Sequence, residues 1–89
     1  MRFTWHETKR QTNLSKHALD FVHAEQVFNG PTMTLEDGRD YGGEQRFNTF
    51  GLLGVVVVAI CHTETDSEIH VISMRKAENH ETRNFFSYL

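Results

Sequence analysis

Ten consecutive residues without a charge, Leu52-Leu-Gly-Val-Val-Val-Val-Ala-Ile-Cys61, constrain this 89-residue chain more than any other stretch. Four adjacent valines favour an extended backbone, because β-branched side chains pack well on a pleated surface. A strand apolar at every position has neither face in water, so it belongs in the middle of a sheet with layers on both sides. The run is also only half of the ~20 residues a membrane helix needs. A chain this short can enclose one modest core and no more, so residues 1–89 form one domain. At 38% hydrophobic and 24% charged the composition is that of a globular protein.

The other elements arrange themselves around that strand. Arg2-Phe-Thr-Trp5 alternates and reads as a short first strand. Glu7 to Ser15 reads as a helix whose one strong apolar residue is Leu14, so it should rest lightly on the domain. Asp20 is a good N-cap for a second helix through Phe28, and Asn29-Gly30-Pro31 stops it. Thr32 to Leu35 and Gln45 to Phe50 read as strands, separated by an Asp37-Gly38 turn signal and the loose Tyr41-Gly-Gly43. A hairpin over Gly51–Gly54 leads into Val55–His62, and Thr63–Ser67 turns back into Ile69–Met74. The spacing of Ala77, Glu81, Phe85 and Leu89 predicts a final helix from Lys76 to Tyr88. Short turns between successive strands imply an antiparallel meander, and segregated helices imply an α+β fold.

Candidate chemistry sits at strand ends. Glu44, Arg46, Asn48 and Phe50 share one face of their strand, so Glu44 and Arg46 project together, either as a solvated charge ladder or as part of a site. His62 follows the apolar run and emerges from the core at a strand end, where it can serve catalysis or simply cap the strand. Arg75 and Lys76 fall on opposite faces where the last strand hands over to the helix. A guanidinium there offers paired donors to phosphate, and equally an ion pair to Glu78 or Glu81. Six histidines complete no His-Glu-x-x-His pattern, and the single Cys61 rules out a Cys-rich zinc site or an internal disulfide, so no metal or cofactor is expected. The N-terminus shows no leader pattern; a cytoplasmic chain without membrane contact is the expectation. The net charge of −3 argues against nucleic acid unless the nine cations cluster on one face.

Phe3-Thr-Trp5, Asn13-Leu-Ser-Lys16-His17-Ala-Leu-Asp20-Phe21, Glu25-Gln-Val-Phe28-Asn, Gly43-Glu44-Gln-Arg46-Phe-Asn-Thr-Phe-Gly51 and Ile72-Ser-Met-Arg75-Lys76-Ala77, in this order, resemble the BrnT family of bacterial toxins. The resemblance implies a RelE-like fold and a metal-independent endoribonuclease that blocks translation. It also implies a BrnA-like antitoxin as partner, with DNA contacted only through the antitoxin's own domain. Cleavage in such toxins is attack of a ribose 2′-hydroxyl on the adjacent phosphate, which needs proton transfer and cationic support. Transferred to this chain, Arg46 and Arg75 would stabilise the phosphate, Glu44 or His62 would move protons, and Lys16, Lys76 and Arg83 would bind the RNA backbone. The sequence departs from the family pattern at three points: His6 stands where Asp is usual, Ala18 where Gly is usual, and His62 where many relatives carry Tyr. The alternative is an antitoxin-binding, operon-regulating module with weak or lost catalysis. Association of two copies would cover exposed Phe in either case.

Overall fold

The computed structural model describes residues 1–89. Its elements are β1 (Arg2–Thr4), α1 (Glu7–His17), a single 3-10 turn (Phe21–His23) running into α2 (Ala24–Phe28), β2 (Thr32–Asp37), β3 (Arg46–Leu53), β4 (Val56–Glu64), β5 (Glu68–Lys76) and α3 (Asn79–Tyr88). Strands β2 to β5 form the expected antiparallel meander, and β1 adds in parallel to β5, giving one sheet in the order β1-β5-β4-β3-β2. The architecture is α+β. No helix is long and apolar enough to cross a membrane.

From Val56 onward the valine run does what its composition requires, whereas Val55, 95% exposed, is taken into the turn before β4. On one face Val58 and Ile60 join Ile69, Val71 and Met74 beneath Phe21, Ala24 and Val27 of the turn and α2. On the other face Val57 and Ala59 join Met33 and Phe50 beneath Phe85 of α3, with Ala77 beside them. One strand therefore serves two cores. A bulge re-aims β5 between them: His62 pairs with Val71 but Cys61 pairs with Ser73, so Ile72 is an extra residue. Val71 and Met74 consequently face the same layer.

The β3–β4 turn and the start of α3 differ from the sequence reading, each for a physical reason. The β3–β4 hairpin turns at Gly54-Val55 rather than over Gly51–Gly54, because Leu53 still pairs with Val56 and Gly54 has the positive φ of 64° that a two-residue turn needs at its first position. Gly51 instead lies within β3, where an added Cβ would stand 2.7 Å from the Val27 side chain; glycine is there to let α2 approach. Helix α3 starts at Asn79, not Lys76. Lys76 still pairs with Val58, the Ala77 N–H bonds Val57 O, and a capping box between Glu78 and Glu81 sets the first turn.

Helix α1 rests on the domain through one polar side chain. Asn13, only 7% exposed, accepts a hydrogen bond from the Met74 N–H (3.1 Å) and donates to the Met74 carbonyl (2.8 Å) and the Leu19 carbonyl (3.0 Å). Met74 lies beyond the reach of β1, whose pairing with β5 ends at His70, so the amide satisfies backbone groups that would otherwise be left at an open sheet edge. Arg10 adds a bidentate pair to Asp20 (2.8 and 2.9 Å), which itself caps the 3-10 turn by accepting from the Val22 N–H. His6, at the N-cap of α1, makes no capping bond.

Ala18 ends α1 at φ 57°, ψ 28°, the left-handed region, with its N–H on the Leu14 carbonyl. The turn is strained rather than rebuilt. Ala18→Gly should raise stability by about 0.5–1 kcal/mol, since relief of the Cβ clash outweighs the added unfolded-state entropy. Asn13→Ala should lower it by about 2–3 kcal/mol, because buried groups of Met74 and Leu19 lose their partners. Urea unfolding of both variants beside the wild type measures each difference.

Candidate active site on the open sheet face

Helix α3 covers only part of its face of the sheet. Beyond Ala59 that face continues through Cys61 and Thr63 of β4, Asn48 and Arg46 of β3, and Ser73 and His70 of β5, with no helix above it. The connection from Gly38 to Gln45 folds around one end of it, and the start of α1 overhangs the other side. Between them His6, Lys9, Glu44, Arg46, His70 and Ile72 line a cleft of about 170 Å³.

The arginine at its floor is held from several sides. Arg46 donates from Nε to Glu44 (2.8 Å), and its guanidinium stacks 4.0 Å from the centre of the Tyr41 ring. Tyr41 donates its hydroxyl to Asp37 (2.7 Å), which also takes the Arg39 guanidinium; these bonds hold the Asp37 carboxyl well below the usual carboxylate range. Glu44 and Arg46 thus project together, although Glu44 belongs to the loop rather than the strand.

Arg75 and Lys76 do lie on opposite faces, since Arg75 pairs with Ala59 and Lys76 with Val58. Arg75 shares the open face with Arg46, but lies four residues further along, about 13 Å in the strand direction, and two strands across the sheet. Each guanidinium is engaged by its own carboxylate, Arg46 by Glu44 and Arg75 by Glu81. Both terminal nitrogens of Arg75 are bonded to Glu81 (2.8 and 2.9 Å), and Glu81 also accepts from the Glu78 N–H. Arg75 fastens α3 to β5. The hydrogen bonds from Arg75 hold the Glu81 carboxyl down at about 2.

His62 does not emerge from the core. It is 1% exposed, packed against Phe28 and Phe47, with Nε2 2.7 Å from the Thr49 hydroxyl and Nδ1 without a partner. Burial pushes its pKa down, so the ring is held neutral. The reason for its placement is parity: it continues the Val58 and Ile60 face, and the chain beyond it is still paired as far as Glu64. RNA cannot reach this imidazole in the folded chain. Lys16, Lys76 and Arg83 are exposed and enter no ion pair; Lys16 lies in the last turn of α1, Lys76 on the face opposite the cleft, and Arg83 within α3. None of the three lines the cleft.

His6, Lys9 and His70 complete the cleft, and the sequence pattern does not group them, since they come from opposite ends of the chain. One signal is legible afterwards: His70 alternates with Ile69 and Val71, so it points away from their core. With this geometry in view, the chain matches over residues 5–81 the family described as the ribonuclease toxin, BrnT, of type II toxin-antitoxin systems. It belongs to the BrnT family. No curated protein matches the chain. A BrnT domain with a net charge of −3 thus carries Lys9 and Arg46 in one cleft, while Arg10, Arg39 and Arg75 are tied to acids elsewhere.

Two side chains make this BrnT chain acid-sensitive in separate windows. His62 has a folded pKa below its unfolded one, so it costs nothing above pH ~6.5, where both states are neutral, and destabilises increasingly as pH falls below that value. Glu81, at about 2 when folded against 4.5, contributes stability that is complete above pH 4.5 and lost as pH falls toward 2. His62→Leu should abolish the first loss and Glu81→Gln should reduce the second, whose remainder comes from the other lowered carboxylates such as Asp37 and Asp20, read from denaturation midpoints between pH 8 and 3.

Proposed function

We propose that this BrnT chain is an endoribonuclease that cleaves RNA without a metal ion, thereby blocking translation, and that a BrnA-like antitoxin neutralises it. The observation that carries the reading is the convergence of Lys9, Arg46, Glu44 and two imidazoles in one cleft on the uncovered half of the sheet. RNA binding responds to local potential, so an acidic chain can bind phosphate where most of its acids lie elsewhere and the one in the cleft, Glu44, is paired. Arg46 is preorganised by Tyr41 and Glu44 to meet a phosphate, and Lys9 supplies a movable charge on the opposite wall. Fixed cations in that position can take the charge-stabilising role that a divalent ion has in other nucleases. Glu44 is exposed and within reach of the same phosphate. Arg75 can meet a second phosphate of the same strand by exchanging Glu81 for it, and Lys16 and Arg83, exposed outside the cleft, can add backbone contacts, whereas Lys76 on the opposite face cannot.

The second reading, an antitoxin-binding module with weak catalysis, is favoured by the state of two sequence candidates: Arg75 is occupied by Glu81 and His62 is sealed. Purified protein incubated with total RNA in EDTA decides between them. Cutting by the wild type, reduced about 10²-fold in Arg46→Ala as expected for loss of a fixed transition-state charge, is the expected result. RNA left intact, including ribosome-bound messenger in a translation extract, would overturn the catalytic reading in favour of the module.

A further inference from the structure

The cleft contains an imidazole whose protonation pattern is dictated by its neighbours. The Thr4 hydroxyl donates to Glu68 Oε2 (3.0 Å) and stands 2.9 Å from His70 Nδ1. A hydroxyl has one hydrogen, and here it is given to a carboxylate that can only accept while ionised. Thr4 must therefore accept from His70, which places the proton of the neutral ring on Nδ1 and leaves a lone pair on Nε2. Glu68 is itself fixed by Arg2 at 2.6 Å, and the hydrogen bonds from Arg2 and Thr4 lower its pKa, keeping it ionised. Thr4 and His70 are direct register partners in the parallel β1–β5 pair, so backbone pairing holds the relay together. His6 stands edge-on to the ring with centroids 5.0 Å apart, limiting its rotation.

We propose that His70 Nε2 is the general base of the ribonuclease site, oriented by Thr4 and Glu68; this rests on the ribonuclease reading above. The groups facing it are His6 and Lys9 from the α1 side, Thr4 and Glu68 from the sheet edge, and Glu44 and Arg46 from the far wall. In the step, the proton of a ribose 2′-hydroxyl passes to Nε2 as the 2′-oxygen forms its bond to phosphorus. The bond from phosphorus to the 5′-oxygen breaks, and that oxygen takes a proton from water in the open cleft. Solvent then removes the proton from the imidazolium, leaving a 2′,3′-cyclic phosphate and a 5′-hydroxyl. Lys9 and Arg46 neutralise the charge that builds on the non-bridging oxygens. The carboxylate of Glu68 favours the imidazolium as it forms, through the intervening hydroxyl.

The test uses the full chain and a fluorescent RNA oligonucleotide chosen from the cleavage sites found in total RNA, comparing the wild type with His70→Gln, Thr4→Val and a control at exposed His23, His23→Gln. Circular dichroism and thermal unfolding check folding. The expected result is a loss of kcat/KM of about 10²–10⁴-fold in His70→Gln, the range for a general base. Thr4→Val should retain the imidazole but lose about 10-fold in kcat with KM unchanged, and His23→Gln should match the wild type. A cleaving wild type with folded His70→Gln within twofold of it would overturn the assignment of the base and leave the ribonuclease reading standing. A wild type that cleaves no RNA, alone or in a translation extract, overturns both.

Discussion

A single carboxamide decides where the first helix lies. By bonding both the N–H and the carbonyl of Met74, Asn13 behaves as one more rung of a β-ladder, and α1 lies along the edge of β5 where a strand would otherwise continue. The helix has little else to hold it, because it buries no other residue and Leu14 is half-turned to solvent. The position of Lys9 and His6 over the cleft follows from that anchor, as does the approach of Arg10 to Asp20. Fold and site share one interaction: loosening Asn13 would free the helix and dismantle one wall of the cleft.

The second determinant is partial coverage. Phe85 and the short α3 protect one half of a sheet face and leave the other half to solvent, with Arg75 and Glu81 on the boundary between the two. This division explains why a strand as uniformly apolar as β4 changes character at Cys61. Up to Ile60 each alternate residue meets a core, whereas Cys61 and Thr63 look onto the open face. Burial raises the Cys61 thiol pKa, and the residue acts as part of the floor between Arg46 and Arg75 rather than as a nucleophile.

Most of the fold was legible in the chain because its signals are local. The apolar run, the Asp20 cap and the Asn29-Gly30-Pro31 stop each act over a few residues, and each appears where expected. What escaped depends on distant partners. Gly51 reads as a turn residue until Val27 is seen above it, and the start of α3 is set by a pairing between Lys76 and Val58 that no periodicity reveals. Joining of β1 to β5 in parallel had no sequence signature. For the site, the opposed faces of Arg75 and Lys76 followed from strand parity, whereas Glu44 meets Arg46 from the loop before β3, through an ion pair. Parity could not show that His62 is buried, because burial of a strand's end depends on Phe28 and Phe47 closing over it. Nor could it assemble His6, Lys9 and His70, which meet only through β1 pairing and the Asn13 anchor.

Sealing of the β5 edge by a side chain and a three-residue β1 also limits how this sheet can grow. A foreign strand arriving on that side would find the backbone of Met74 already occupied and a helix in the way. The opposite border is different: β2 pairs with β3 on one side alone, and the outward-pointing amides and carbonyls of Thr32 to Asp37 are free along its whole length. Exposed Glu36 near its end places negative charge there, a common guard against indiscriminate edge-to-edge pairing. Sheet extension, whether by a second molecule or by a segment of another protein, therefore finds its longer border here, six residues of β2 against three of β1, at the side farthest from the helix that walls the cleft.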